Sequence, residues 1–149
     1  MLNLKNILIA HDLDHSSDQA LRYATDLAET TGATLHVVYG ALEDGDPDNV
    51  PPEAELPDSV FLEQIKNGSS PLPSGSRVAS TIDVEYAVAR GLNPAGALVQ
   101  YADEHAIDLI VTGSHERSTV GRFLRGSVSE KVARAASCPV SIVKPHARA

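Results

Sequence analysis

The stretch that decides the fold is IDLIVTGSHERSTVGRFLRGSVSEKVARAASCPVSIVK, residues 107–144. It opens on IDLIVTG (107–113), a short apolar run bounded by glycine, which fits a strand buried on both faces. A glycine-punctuated loop follows, GSHERSTVGRFLRGS (113–127), with Arg117, Arg122 and Arg125 and one acidic residue, Glu116. SVSEKVARAAS (127–137) then has the pattern of a helix, with Ser127 and Glu130 spaced as a capping box. CPVSIVKP (138–145) is a last strand bracketed by prolines. Strand, loop, helix, strand is the repeating unit of a parallel sheet, because parallel neighbours need a crossover connection.

Upstream the same alternation returns. NILIAH (6–11) is a buried strand. SSDQALRYATDLAETTG (16–32) places Ala20, Leu21, Ala24, Leu27 and Ala28 at helical spacing, with Ser16 and Gln19 as a capping box and Gly32 as the stop. ATLHVVYG (33–40) is the second strand. TIDVEYAVARG (81–91) alternates, with Ile82, Val84, Tyr86 and Val88 on one face and Asp83 and Glu85 on the other, which predicts an edge strand with one wet face. NPAGALVQYADEHA (93–106) predicts a helix capped by Asn93 with Pro94 at its first position. The order is β-α-β-(irregular)-β-α-β-α-β: a single α/β domain, a doubly wound parallel sheet with helices on both faces. Ligands of such sheets sit beyond the carboxyl ends of the strands, where strand order reverses. The residues there are His11 and Asp12, Tyr39 and Gly40, Gly91, and Thr112 and Gly113.

Composition narrows the function classes. At 149 residues the chain is about one domain, able to bury roughly two thirds of its unfolded surface. A net charge of -8 argues against non-specific nucleic-acid binding, which needs cations against phosphates. No apolar run approaches the roughly 20 residues of a membrane span. The start, MLNLKNILIAHDLD, breaks from apolar into charged residues without a small-residue cleavage site and is read as carrying no signal peptide. The single cysteine, Cys138, has no internal disulfide partner, which fits a cytoplasmic location.

The segment from about 41 to 80 interrupts the pattern. It holds six of the nine prolines, and eight of the twenty acidic residues lie between 43 and 63. Only PDSVFLEQIKNG (57–68) looks helical, with Asp58 placed to cap it. The segment reads as a flexible acidic flap with one short helix, or equally as a solvated insertion without a role.

The loop at 113–127 has the chemistry of a phosphate cradle. Backbone amides at a helix start lack internal partners and favour anions, and a preceding glycine lets the backbone approach closely. Gly126, Ser127 and Val128 supply a glycine, a hydroxyl and free amides. Gly113 and Ser114 supply a second such turn. Turn glycines and solvated arginines would produce the same composition, so spacing alone leaves both readings open.

NILIAHDLDHSSDQAL, TLHVVYG and DLIVTGSHERSTVGRFLRGSVSEKVARAASCPVSIVK together resemble the universal stress protein family of UspA-like domains, over essentially the whole chain outside the proline-rich insertion. The resemblance implies a five-stranded parallel sheet of order 3-2-1-4-5. Nucleotide-binding members carry Gly, two residues, Gly, nine residues, then Gly with Ser or Thr. Gly113 and Gly126-Ser127 match the ends of this pattern, and its middle glycine falls on Glu116. The resemblance implies Asp12 and Val37 toward adenine and ribose, Thr112 and Gly113 on the nucleotide's flank, Glu116 at the position of the middle glycine, and Gly126, Ser127 and Val128 on the phosphates. It implies ATP as ligand, with Mg²⁺ on the phosphates when ATP binds, in a stress-response sensor or regulator rather than a metabolic enzyme, with slow ATP hydrolysis left open. It implies a homodimer joined through the strand at 139–144. Two features depart from the family. Glu116 puts a carboxylate where backbone approach to an anion is needed, and like charges 4 Å apart repel by about 1 kcal/mol even in water. The longer helix that members carry after the second strand is broken here by NGSSPLPSGSR. The alternative is a UspA-like dimer that binds no nucleotide and acts through protein partners.

Other chemistries are weaker. HDLDH (11–15) groups two histidines and two aspartates, but neighbours on an extended chain point opposite ways, whereas a metal needs convergent ligands. Ser114, His115 and Glu116 are adjacent, and triad members must converge in space instead. No catalytic residue and no metal site is expected. Cys138 reads as a small buried residue at a strand start.

Overall fold

The computed structural model of the chain describes residues 3–12, 18–43, 56–68, 82–114 and 128–144. Five strands and four helices alternate: β1 (Asn6–Ala10), α1 (Asp18–Thr31), β2 (Thr34–Leu42), α2 (Asp58–Gly68), β3 (Val84–Gly91), α3 (Pro94–Glu104), β4 (Leu109–Gly113), α4 (Val128–Ala135) and β5 (Val140–Val143). All ladders are parallel and the sheet order is β3-β2-β1-β4-β5, the order the family resemblance implies. Strand order reverses between β1 and β4. Asp108 holds that junction in register, because one carboxylate oxygen accepts from the Lys5 and Asn6 amides at 2.8 and 2.9 Å.

Alternation of side chains across the strands divides the core into two layers. Ile7, Ile9, Leu35, Val37, Leu109 and Val111 face α1 and α2. Leu8, Ala10, Val38, Ala89 and Ile110 face α3 and α4. Ala20, Ala24 and Ala28 recur every fourth residue along α1, and all three are buried. On the opposite face α3 presents Ala95, Ala97, Leu98, Tyr101 and Ala102. Asn93 caps α3 as the sequence predicts, its Oδ1 accepting from the Gly96 amide at 2.7 Å, with Pro94 at the first helical position. Ser16 and Ser127, the predicted caps of α1 and α4, lie outside the described residues. The Glu130 carboxylate takes Arg134 one turn on at 3.2 Å, an exposed pair.

Three expectations change. First, β2 runs to Leu42 rather than stopping at Gly40, because Ala41 and Leu42 pair with Arg90 and Gly91 of β3. Second, the helix expected within a flap is a core element. Phe61 and Ile65 of α2 are 3% and 0% exposed, and Ile65 joins the cluster beneath α1. Asp58 receives the Arg90 guanidinium at 2.7 Å. Third, β3 is an edge strand, but neither face is wet along its whole length. Val84 and Tyr86 pack toward the α1 and α2 side, and Ala87 and Ala89 pack toward α3, so only Asp83 and Glu85 are exposed as expected.

A polar network sits beneath the carboxyl end of α3. His36 of β2 is buried, with Nδ1 2.8 Å from the Tyr101 hydroxyl and Nε2 3.1 Å from Asn6 Oδ1. The Asn6 amide nitrogen donates to the Ala106 carbonyl at 3.5 Å, which leaves Oδ1 to accept. Nε2 therefore carries the proton, and Nδ1 accepts from Tyr101. Burial, reinforced by Glu85, holds the phenol above its ordinary 10.0, so it remains a donor. Tyr101 stacks on His105, with ring centroids 3.7 Å apart. Burial lowers the pKa of His36 below 6.5; Glu85 acts against this shift and His105 adds to it.

Because the folded value is depressed, the unfolded chain takes up this proton first as pH falls. The stabilisation from neutral His36 is present above pH 6.5 and is lost as pH drops below it. Urea unfolding followed from pH 7.5 to 5.5 should show a falling midpoint. His36→Gln should be less stable at pH 7.5 but should fall less steeply, because the depressed imidazole is gone.

Candidate functional site

The strand ends at the point of reversal border a cleft of about 240 Å³. Ala10 ends β1 and His11 follows it, Tyr39 and Gly40 lie near the end of β2, and Thr112 comes from β4. Pro94 and Leu98 of α3 form one wall, and Val128 and Ser129 at the start of α4 form another. The β1–β2 ladder continues one residue past β1, where the His11 amide donates to the Val38 carbonyl at 2.8 Å. That bond carries the chain to Asp12, the acidic residue of the lining. On the other side Ser114 N–H donates to the Val143 carbonyl at 3.0 Å, so β4 keeps its direction until the signature loop leaves.

The side chains on the floor are small. Ala10, Gly40 and Thr112 all come from the face that carries α3 and α4. Gly40 is required by close approach: a Cβ there would lie 2.9 Å from the Pro94 carbonyl oxygen and 3.1 Å from Leu98 Cγ. At Gly91 a Cβ would lie 3.2 Å from Ala97 Cβ. Two glycines thus let α3 lie close against the ends of β2 and β3.

The two helix starts at the cleft differ in what they can bind. In α3, Pro94 lacks an amide proton, Gly96 N–H is taken by Asn93 Oδ1, and Ala97 N–H donates to the Asn93 carbonyl at 3.1 Å. Little donor capacity remains there for an anion. In α4, Val128 and Ser129 stand in the first turn, on the cleft, at the positive end of the helix dipole. An anionic group is therefore favoured at α4, and the uncharged wall of Pro94 and Leu98 suits a flat apolar face.

The structure places the predicted residues as follows. Asp12, Thr112 and Val128 converge on the cleft. Gly113 follows Thr112 as the last residue of β4 but is not among the lining residues. Val37 is fully buried in the layer beneath α1, so its side chain contributes to the core and not to the cleft wall. Glu116, Gly126 and Ser127 lie outside the described residues, as do Asp14 and His15 of the HDLDH run. Among the described residues, no group of three His, Cys, Asp or Glu side chains could hold a metal ion. The sequence named Tyr39 and Gly40 only as a strand end. It missed Pro94 and Leu98, whose place on the cleft depends on where α3 crosses the sheet. A second groove, of about 350 Å³ between β3 and α3, contains none of the predicted site residues. Cys138 is half-buried, and burial is the main cause holding its thiol above the ordinary range, which disfavours the reactive thiolate. No helix among the described residues is long and apolar enough to cross a membrane.

An open parallel α/β sheet with a crevice at its point of reversal defines the class of doubly wound domains. Within that class, the model of the universal stress protein family matches residues 3–144. A protein of Staphylococcus haemolyticus described as a universal stress protein is 33% identical over 148 residues, covering 97% of this chain and 87% of its own length. A solved universal stress protein in complex with cAMP is 27% identical, with a TM-score of 0.68 and coverage of 97% of this chain and all of that one. The Archaeoglobus fulgidus universal stress protein in complex with dAMP shares the fold at 24% identity and a TM-score of 0.60, covering 96% of this chain and 100% of its own. The chain belongs to the universal stress protein family.

Gly40→Ala tests the seat of α3. The new methyl meets a backbone carbonyl, so the helix start must shift. The expected destabilisation is about 1–3 kcal/mol, the range for overpacking, measured as a lower denaturant midpoint with unchanged slope.

Proposed function

We propose that the chain is an adenine-nucleotide-binding module, with ATP as its ligand, acting in stress response as a sensor or regulator. The observation that carries this reading is the convergence of Asp12, Thr112 and Val128 on one cleft at the point of strand reversal. Two of them flank the signature loop, Thr112 just before it and Val128 immediately after it. The donor set fits a nucleotide: Asp12 is an acceptor for a ribose hydroxyl or an adenine amino group, Pro94 and Leu98 offer an apolar wall for the base, and the α4 start attracts phosphate. Gly126 and Ser127 would extend that anion site, with Gly113 and Thr112 on the nucleotide's flank and Val37 reached through its strand. Mg²⁺, when present, would be held by the phosphates of ATP. The solved relative bound to cAMP supports an adenine nucleotide. The module acts by binding rather than catalysis, and we place it in the cytoplasm.

A second reading has one observation in its favour. Glu116 stands where nucleotide-binding members have glycine, so the chain would instead be a dimer that binds no nucleotide and acts through protein partners. The two readings separate in calorimetric titration with ATP and Mg²⁺. The first predicts binding, abolished by Gly126→Val with the circular dichroism spectrum unchanged. The second predicts no heat for the wild type, and that result would overturn the nucleotide reading.

Both readings include a homodimer through residues 139–144. β5 lies at a sheet edge, Ile142 on it is 43% exposed, and an unpaired edge invites a second copy. Sedimentation of the wild type at micromolar concentration should show a dimer, and Ile142→Lys should sediment as a monomer. A monomeric wild type would contradict this assembly.

A further inference from the structure

Arg90 is the next-to-last residue of β3, and several parts of the chain converge on it. Its Nε donates to Asp58 Oδ1 at 2.7 Å. One terminal nitrogen donates to the Leu56 carbonyl and the other to the Leu42 carbonyl at 3.4 Å. The guanidinium lies over the Phe61 ring, 5.5 Å from its centroid. Leu42 ends β2, while Leu56 and Asp58 stand where the chain returns into α2. One side chain therefore ties together both ends of the 43–57 connection. The three nitrogens of the planar fork each reach a different acceptor while the plane lies on a ring, a spread that a single ammonium nitrogen does not have.

The contacts continue toward the cleft. Phe61 is 3% exposed, and its ring lies 5.0 Å from that of Tyr39. Tyr39 borders the cleft and precedes Gly40 on its floor. We propose that Arg90 is a positioning residue for the ligand cleft, acting through Phe61 to hold Tyr39, and with it the carboxyl end of β2, in place. The ligand is the nucleotide proposed above, and this inference rests on that reading. An exposed ion pair alone would do little. Here the pair sets the angle of α2, and α2 sets the ring that backs Tyr39.

The test uses the full chain in two measurements. Fluorotyrosine labelling gives four fluorine signals, from Tyr23, Tyr39, Tyr86 and Tyr101, and Tyr39→Phe assigns one of them. In Arg90→Gln and Arg90→Lys the Tyr39 signal should move or broaden while those of Tyr23 and Tyr101 stay. This measurement needs no ligand. Calorimetric titration with AMP, cAMP and ATP–Mg²⁺ should then show affinity lowered by about three- to tenfold in both variants, within the span of coupling between side chains of one network. In a Tyr39→Ala background, Arg90→Gln should add less than about twofold, because the route through Tyr39 is gone. A residue that only stabilises the fold would lower the melting temperature and leave affinity unchanged, or lower affinity equally with and without Tyr39. Either result overturns the proposal, as does an unmoved Tyr39 signal. If the wild type binds none of the three nucleotides, the nucleotide reading fails. The fluorine spectrum alone then decides whether Arg90 holds Tyr39.

Discussion

The close seat of α3 on the sheet is the constraint from which the cleft follows. At Gly40 the helix backbone comes so near that a single methyl would meet the Pro94 carbonyl at 2.9 Å. Gly91 and Ala97 repeat the arrangement one strand over. With α3 held this close, Pro94 and Leu98 reach the strand ends and become a wall. A larger residue at position 40 would lift the helix start and open that side. The other wall belongs to α4, which packs beside α3 in the same layer. It comes from the strand order, which sets β4 beside β1 and brings the start of α4 opposite Asp12.

These two walls give the cleft a direction. Asn93 and Pro94 use up or remove donors at the start of α3, leaving an apolar surface. The start of α4 keeps its dipole facing the cleft. A ligand with a flat heterocycle at one end and an anion at the other matches this polarity. The acidic net charge of the chain works against any anion at long range, so attraction must come from short-range groups.

Much of this was legible in the sequence because it is local. The Asn93-Pro94 cap, the buried runs of β1 and β4, and the strand ends carrying Asp12 and Thr112 follow from neighbouring residues alone. What was not legible depends on contacts between distant segments. β2 extends to Leu42 only because β3 pairs with it. Phe61 and Ile65 read as part of an acidic insertion, yet Ile65 is fully buried, because the β2–β3 surface needs a cover. Val37 illustrates a different limit. A motif locates a residue in the chain, but strand alternation sends its side chain into the core on the α1 side. Gly40 looked like a strand end, and its necessity came from a helix more than fifty residues later.

The central claim is that an adenine nucleotide occupies the cleft between β1, β4 and the starts of α3 and α4. Amide chemical-shift mapping tests it most directly, with the ¹⁵N-labelled chain titrated with ATP and Mg²⁺. The account predicts saturable shifts concentrated at Ala10, Asp12, Gly40, Thr112, Val128 and Ser129. Shifts that instead gather along the groove of Gln100, Glu104 and His105, or no saturable shift at all, would contradict it.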